Sequence, residues 1–184
     1  MAAPSPPAPA TSTLPPAPAG EYRIVEETAA HAAALEGVLD RAFGPGRFAK
    51  TSERVRERGA AHRLNLSRVA LFEGAAVGVC RMSDISVGGR SALFLGPLAV
   101  DPPHQHARLG GRLVAAALEA VKGEGKPVLV VGAASFFQPF GFARIPDGRV
   151  AMPGPVDPSR FLWLSQTHGG LEGLGGMVGP ALAA

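Results

Sequence analysis

The stretch from Leu93 to Arg112 constrains the fold more than any other part of the chain. It reads LFLGPLAV, then DPPHQHA, then RLGGR, which predicts a buried strand, a proline-broken turn and the beginning of a helix. The first N–H groups of a helix have no partner inside the helix, and the helix dipole adds positive potential there. The stretch therefore predicts a site for a phosphate-bearing ligand.

The predicted strand carries Gly96-Pro97 in its middle. Proline has no N–H to give to a sheet ladder, so we expect a bulge or a splay at this point. Backbone groups left without a neighbour can bind an extended, amide-bearing ligand as if it were a strand. An amide-binding strand beside a phosphate-binding helix favours coenzyme A over a dinucleotide. The glycine pattern also matches neither GxGxxG nor GxxxxGK[ST].

The hydrophobic pattern on both sides of this stretch predicts an α/β fold. Strands are predicted at 21–27, 68–74, 75–87, 91–100, 127–132 and 160–166, and helices at 29–43, 47–63, 109–121 and, as a short turn, 135–142. The strand–helix–strand order across 91–132 implies a crossover and a parallel pair. Glu73-Gly74 predicts a tight hairpin before it. We therefore expect a mixed, partly splayed sheet flanked by helices.

The two ends of the chain predict less structure. Residues 1–20 consist almost entirely of Ala, Pro, Ser and Thr, which predicts a disordered or polyproline-like leader. The glycine-rich segment from residue 171 onward predicts a loosely ordered tail. The length of 184 residues suits one domain, so we assign residues 21–184 to a single domain that includes this tail.

Charge and composition exclude several classes of function. The formal net charge is only +3, and no nucleic-acid-binding module is recognisable, so we expect no nucleic-acid partner. No apolar stretch approaches the length of a membrane span, and no signal peptide is recognisable, so we expect a cytoplasmic protein with no membrane partner. Cys80 is the only cysteine, and its strand-like surroundings predict a small buried hydrophobe. Nothing predicts the oligomeric state.

A basic segment follows the first predicted helix. It has two acidic residues, Glu53 and Glu57, and eight basic ones: Arg41, Arg47, Lys50, Arg54, Arg56, Arg58, Arg63 and Arg68. One interpretation is a solvated helix face, and the other is a basic wall that faces an acidic substrate.

The residues 93–121, followed by FFQPFGF at 136–142, resemble the acetyl-CoA-binding core of the GNAT N-acetyltransferase superfamily. The subgroup that they resemble has LGPLAV-x-P-x-x-Q and a closing FGF, and the resemblance covers about residues 21–165. It implies acetyl-CoA as co-substrate and direct transfer of the acetyl group to the amine of a small molecule or peptide. It also implies a coenzyme-binding set, which consists of Leu98, Ala99, Val100, Gln105, His106, Ala107, Arg108, Leu109, Gly110, Gly111 and Arg112.

The chain departs from the family pattern at two positions. Arg108 stands where the central glycine of the phosphate loop is usual, and its side chain either crowds the diphosphate or adds a charged contact. Phe137 stands where many members have a tyrosine that protonates the departing thiolate, so this general acid is missing. These departures leave a second interpretation, a catalytically degenerate domain that binds acyl-CoA or regulates. A third, an unrelated nucleotide-binding α/β protein, requires the crossover to be a coincidence.

Other candidate residues are few, and no catalytic residue is assigned. Asp84 and Ser86 end a predicted strand and either reach the acceptor cleft or lie in solvent. His104 and His106 have no third ligand nearby, so we expect loop histidines and no metal. Ser135 is expected to cap the short helix.

Overall fold

The computed structural model describes residues 20–46 and 51–182, with only the backbone of Thr51 and Ser52. Most of the predicted leader and the start of the second predicted helix, with Arg47 and Lys50, lie outside these ranges. The helices are α1 Ala32–Phe43, α2 Thr51–Glu57, α3 Leu109–Val121 and α4 Ala134–Phe137. The strands are β1 Tyr22–Glu26, β2 Ala61–His62, β3 Arg68–Phe72, β4 Ala75–Val87, β5 Arg90–Val100, β6 Val128–Val131, β7 Ala143–Arg144, β8 Val150–Ala151, β9 Phe161–Leu164 and β10 Gly176–Gly179.

One mixed sheet organises these elements. Its main path runs β1-β3-β4-β5-β6-β9-β7. The pair β5–β6 is parallel, and α3 makes the crossover between its two strands, whereas the other pairs on this path are antiparallel. The edge of β4 away from β5 is covered in succession by β3, β2 and β10. The predicted fold class, a mixed and partly splayed sheet flanked by helices, is confirmed.

Helices α1 and α3 cover opposite faces of this sheet. The apolar stripe of α3, which includes Leu113 and Ala117, is fully buried against one face. Leu35, Val38 and Leu39 of α1 pack with Val79 and Ala99 on the other. Both stripes follow the helical spacing of the sequence. An amphipathic helix is stabilised when it buries its apolar face against another element, which here is the sheet. Cys80 is buried as predicted, and burial raises the pKa of its thiol to about 12.

The bulge predicted at Gly96-Pro97 is present. Cys80 of β4 pairs with Leu98 of β5, and Met82 pairs with Leu95. Gly96 and Pro97 of β5 therefore stand opposite the single residue Arg81 of β4. The pairing of β5 with β6 stops at Leu95–Val130. Strand β6 instead continues beside β9, where Val131 pairs with Phe161. The two parallel strands therefore part at the bulge.

A buried ion pair lies on the α1 face beside this point. Arg81 and Glu27 are 8% and 2% exposed, and their side chains meet at 2.9 Å. Burial by itself would raise the pKa of Glu27, but hydrogen bonds from His62 and Arg81 outweigh burial and lower that pKa. Removal of either partner would leave the other buried with one remaining contact, His62 for Glu27 at 3.1 Å or Glu36 for Arg81 at 3.7 Å, which is costly.

The second predicted helix is shorter than the sequence indicates. It ends at Glu57, Gly59 takes a left-handed φ of 97°, and Ala61–His62 form β2 instead of continuing the predicted helix 47–63. His62 lies 3.1 Å from the buried Glu27 and 3.2 Å from Ser67. The contact of His62 with Glu27 and the backbone pairing of β2 with β4 favour an extended chain at residues 61–62. Local sequence predicts neither contact.

The segment predicted as a loose tail is packed against the sheet. Its strand β10 pairs with β4 through Val178–Val87 and in parallel with β8, and Leu174 is fully buried. The close approach depends on a glycine in the β4–β5 turn, since a Cβ on Gly88 would lie 2.0 Å from the carbonyl oxygen of Gly175. Sparse apolar residues among many glycines hide this packing from the sequence pattern.

Truncation of Leu174 tests the role of this segment. We expect Leu174→Ala to lower the free energy of unfolding by about 2–4 kcal/mol, because a buried leucine leaves a cavity when it is removed. Met177 lies in the same segment but is 55% exposed, so Met177→Ala should stay within about 0.5 kcal/mol of the parent. Urea unfolding measures both, and equal effects of the two substitutions would contradict the packing of this segment.

Candidate functional site

A cleft of about 510 Å³ opens where β5 and β6 part. Gly96, Pro97 and Leu98 form its near wall, and Val130–Gly132 with Phe137 form its far wall. The remaining lining comes from α1, α2, β5 and the loop before β9: Leu39, Phe43, Glu53, Arg56, Phe94, Leu95, Pro155, Val156, Asp157 and Arg160. Most of this surface is apolar, as is usual for a small-molecule site.

One edge of β5 faces the cleft without a neighbouring strand. Beyond the bulge, Leu98, Ala99 and Val100 pair with β4 on one side only. Within the described ranges, β6 does not accompany them on the other side. Leu98 lines the cleft, whereas the side chains of Ala99 and Val100 are buried. What these three residues present to a ligand is therefore chiefly their backbone.

The turn after β5 is held by polar side chains. Asp101 accepts from Nε of Arg41 at 2.9 Å and from Nη2 at 2.7 Å, which ties the end of α1 to the turn. Arg41 thus belongs to an ion pair and not to a free basic face. The side-chain amide of Gln105 donates to the carbonyl of Val100 at 3.2 Å. Both contacts fix the path of the chain into the short 3₁₀ helix Pro102–Ala107.

Arg108 takes the backbone conformation that glycine favours. Its φ and ψ are 53° and 25°, in the left-handed region, immediately before α3. This conformation costs a side-chain-bearing residue roughly 1–2 kcal/mol. Arg108 is exposed, and no hydrogen bond or ion pair joins its guanidinium to another residue in the described part of the chain. The arginine therefore preserves the turn and leaves a free positive charge beside the beginning of the helix.

The first turn of α3 contains two glycines that the protein's own packing does not require. A Cβ on Gly110 would lie 3.5 Å from Phe136, and one on Gly111 would lie 3.6 Å from Phe140. Both distances are ordinary contacts, although glycine in a helix costs about 1 kcal/mol relative to alanine. The glycines leave open surface at the helix N-terminus, where backbone N–H groups seek a partner.

The other predicted coenzyme-binding residues flank this turn. His106 and Ala107 are half-buried in the 3₁₀ helix, and the side chain of Leu109 is fully buried in the core. Arg112 is exposed, and its guanidinium donates to the carbonyl of Tyr22 at 3.3 Å. The structure thus brings the predicted residues together along one path, from the free edge of β5 to the first turn of α3.

The side chain of His104 packs against two aromatic residues, Tyr22 and Phe72. Its Nδ1 lies 2.9 Å from the hydroxyl of Tyr22, and its ring centroid is 4.9 Å from that of Phe72.

Across residues 20–46 and 51–182, no group of three or more His, Cys, Asp or Glu is placed to hold a metal ion. No helix in the same ranges is long and apolar enough to cross a membrane.

Phe137 forms an apolar wall of the cleft. Its ring packs edge-on against Phe142 at 5.4 Å and lies over Gly132, where a Cβ would come within 2.3 Å of the ring. The described cleft lining contains no tyrosine, serine, cysteine or histidine. Ser135 does not cap α4 as predicted, because the cap position is Ala133 and Ser135 lies inside the helix.

Asp84 and Ser86 do not line the cleft. Asp84 lies within β4 and binds Lys126 at 2.7 Å and Arg63 at 2.9 Å. Burial by itself would raise the pKa of Asp84, but the hydrogen bonds from Lys126 and Arg63 outweigh burial and lower that pKa. Ser86 is buried and pairs with Gly179 of β10. The alternative that these residues reach the cleft is therefore not met in this structure.

Substitution of Asp84 separates a structural role from a catalytic one. We expect Asp84→Asn to lower the free energy of unfolding by about 1–3 kcal/mol at neutral pH, because Arg63 and Lys126 then keep only Glu124 as a charged partner. A lowered folded-state pKa contributes stability above the unfolded value of about 3.9 and loses it as pH falls through the folded pKa. The difference should therefore shrink below about pH 4. Unfolding midpoints measured against pH check this, and a constant difference would contradict it.

Two of the four charged residues in the described cleft lining, Asp157 and Arg160, were not predicted from the sequence. Among the described residues of the basic segment, only Arg56 lines the cleft, and it is ion-paired with Glu53. Arg54 and Arg58 are exposed and lie outside the lining. Asp157 and Arg160 come from a loop whose Asp-Pro-Ser sequence indicates only a capped turn, which Asp157 makes by accepting from the N–H of Ser159 at 2.9 Å.

Comparisons with known proteins agree with this architecture. A model of the acetyltransferase (GNAT) family matches residues 33–142, so the chain belongs to that family. No curated protein matches it significantly.

Solved structures match over most of the chain. The Escherichia coli GNAT family N-acetyltransferase YhbS, in complex with CoA, superposes with a TM-score of 0.73 and 26% identity over 90% of this chain and 92% of that one. A Brucella melitensis GNAT family acetyltransferase, in complex with acetyl-CoA, superposes with a TM-score of 0.62 and 24% identity. The match covers 87% of this chain and 96% of that one. The second similarity supports the fold alone.

Proposed function

We propose that the protein is an acetyl-CoA-dependent N-acetyltransferase that acts on the amine of a small molecule or peptide. The observation that carries the proposal is the continuous path of backbone groups from the free edge of β5 to the glycine turn of α3. An amide-rich arm ending in a diphosphate matches such a path. The CoA bound to YhbS supports the same ligand, and the cytoplasmic location stays a prediction.

The chain's own residues divide the binding between backbone and charge. The backbone of Leu98, Ala99 and Val100 would hold the amides of the donor and the thioester oxygen. The N–H groups at the start of α3 would bind the diphosphate, with open surface at Gly110 and Gly111. Arg108 would add its guanidinium, since it is exposed and has no other described partner. Gln105 would act through the shape of the turn, because its amide already binds Val100.

The proposed reaction is a direct attack of the acceptor amine on the thioester carbonyl. The amine nitrogen forms a bond to the carbonyl carbon, the bond from that carbon to sulfur breaks, and the amine proton leaves to water. Reaction between two bound partners gains mainly from positioning. This account requires no protein acid, which agrees with the phenyl ring of Phe137 in the far wall.

One observation favours a second candidate function, a domain that binds acyl-CoA without catalysis. Phe137 has no proton to donate, and the described cleft lining contains no tyrosine, serine, cysteine or histidine side chain that could protonate a departing thiolate. Such a domain would bind the donor through the same backbone path and transfer nothing.

Calorimetric titration with acetyl-CoA and with CoA, followed by an assay of thiol release across a panel of amines, tests the proposal. We expect both ligands to bind and thiol release to depend on the amine. Binding without amine-dependent thiol release favours the non-catalytic domain. Absence of binding at millimolar ligand would remove both candidates.

The glycine turn provides a sharper test of the binding site. We expect Gly110→Ala to weaken CoA binding roughly tenfold, because an added methyl group overpacks a close backbone approach by about 1–3 kcal/mol. The same substitution should raise stability by up to about 1 kcal/mol through helix propensity. Gly123, in the 3₁₀ turn after α3, has no atom within 4 Å of a Cβ, so Gly123→Ala is the matched control. Equal CoA affinity of both variants would contradict the assignment.

A further inference from the structure

The described cleft lining holds two acidic and two basic side chains, but only one acidic and one basic side chain form an ion pair. These are Glu53, Arg56, Asp157 and Arg160, among otherwise apolar residues. On α2, Glu53 and Arg56 form an ion pair, and their side chains are only 18% and 23% exposed. This pair neutralises itself, so it leaves no net charge on that wall for a ligand to meet.

Asp157 is occupied within its own turn. Its Oδ1 accepts from the hydroxyl of Ser159 at 2.7 Å and from the backbone N–H of Ser159 at 2.9 Å. Both hydrogen bonds lower the pKa of Asp157, and the bond from the Ser159 hydroxyl has the larger effect. Asp157 and Arg160 do not form an ion pair, although Asp157 lies close enough to feel the charge of Arg160.

Arg160 has a fixed backbone and a free guanidinium. Its carbonyl accepts from the N–H of Gly132 at 2.8 Å, and its own N–H donates to the carbonyl of Asp157 at 2.9 Å. These bonds fasten it to the end of β6, at the far wall of the cleft. In residues 20–46 and 51–182, no hydrogen bond or ion pair engages its side chain, which makes Arg160 the unpaired cation of the described lining.

An unpaired guanidinium at the rim of an apolar cleft selects a particular ligand. The planar group of arginine binds a carboxylate through two parallel hydrogen bonds. One such group matches one carboxylate, whereas a phosphate dianion would call for a second free cation, and Arg56 is already paired. The apolar walls, with Leu39, Phe43 and Val156, fit a hydrocarbon body.

We propose that the acceptor is an apolar amine that carries a carboxylate, such as an amino acid with an apolar side chain, and that Arg160 binds this carboxylate. This inference rests on the proposed function, which supplies the acetyl transfer. The charge and the apolar walls of the cleft select the acceptor. In this proposal Arg160, and not the basic segment described in the sequence, binds the acidic group of the substrate. The amine then faces the near wall at the bulge of β5, where the donor would lie.

Matched acceptors test the carboxylate. L-Phenylalanine pairs with phenethylamine, and L-leucine pairs with 3-methylbutylamine, because the members of each pair differ only by the carboxylate. We expect Arg160→Gln to lower kcat/KM for the amino acids roughly 10- to 100-fold, the usual effect of a lost charge-assisted hydrogen bond. The value for the plain amines should not change. Comparison of each acceptor between the two enzymes cancels the differing basicity of the amines.

Two variants control the result. Arg160→Lys should recover part of the lost kcat/KM, since it restores the charge without the bidentate geometry. Arg54→Gln, on the exposed side of α2 and outside the cleft, should leave every acceptor unchanged. Equal losses for amino acids and plain amines, or no loss for either, would overturn the inference. Use of plain amines with no use of amino acids by the parent protein would also overturn it.

A direct binding measurement separates this inference from the proposed function. N-Acetyl-L-phenylalanine carries the carboxylate and needs no catalysis, so its calorimetric titration in the absence of CoA probes the anion site alone. We expect binding that Arg160→Gln weakens by roughly tenfold or more. If this binding holds while acetyl-CoA fails to bind, the proposed acetyl transfer fails and the carboxylate site stands. If acetyl-CoA binds and this binding is absent, the carboxylate site fails and acetyl transfer stands.

Discussion

The parting of β5 and β6 is the constraint on which the rest of the structure depends. Two residues of β5, Gly96 and Pro97, stand opposite one residue of β4, and proline offers no N–H to a ladder. Beyond this bulge β5 stays with β4, while β6 follows β9. The sheet thereby exposes an edge of backbone inside the molecule, and the cleft is the space between the two strands.

Polar contacts hold the parted strands in place from both sides. The N–H of Gly132 donates to the carbonyl of Arg160 and keeps β6 against β9. The ion pair of Arg41 with Asp101 ties α1 to the end of β5, and that of Arg81 with Glu27 braces β4 opposite the bulge. The walls of the cleft are therefore strands whose positions these contacts fix.

Local sequence was sufficient for the elements whose residues interact with near neighbours. The stripe of α3 follows from 3.6-residue spacing, the β3–β4 hairpin from Glu73-Gly74, and the bulge from Gly96-Pro97. The coenzyme-binding set between Leu98 and Arg112, which the family resemblance implies, stays a prediction, and it lies along one run of chain. The ion pairs of Asp84 were not predicted, because its partners, Arg63 and Lys126, are remote in sequence.

The sequence by itself determined the fold class, the parting of the sheet and the turn into α3, because short-range spacing and the chemistry of glycine and proline govern each of them. Only the tertiary structure decided what faces the cleft. It paired Arg56 with Glu53, left the side chain of Arg160 without a partner among the described residues, placed Phe137 in the far wall and folded the glycine-rich segment with Leu174 onto β4. These outcomes depend on contacts between distant segments, and no local pattern encodes which charge finds a partner.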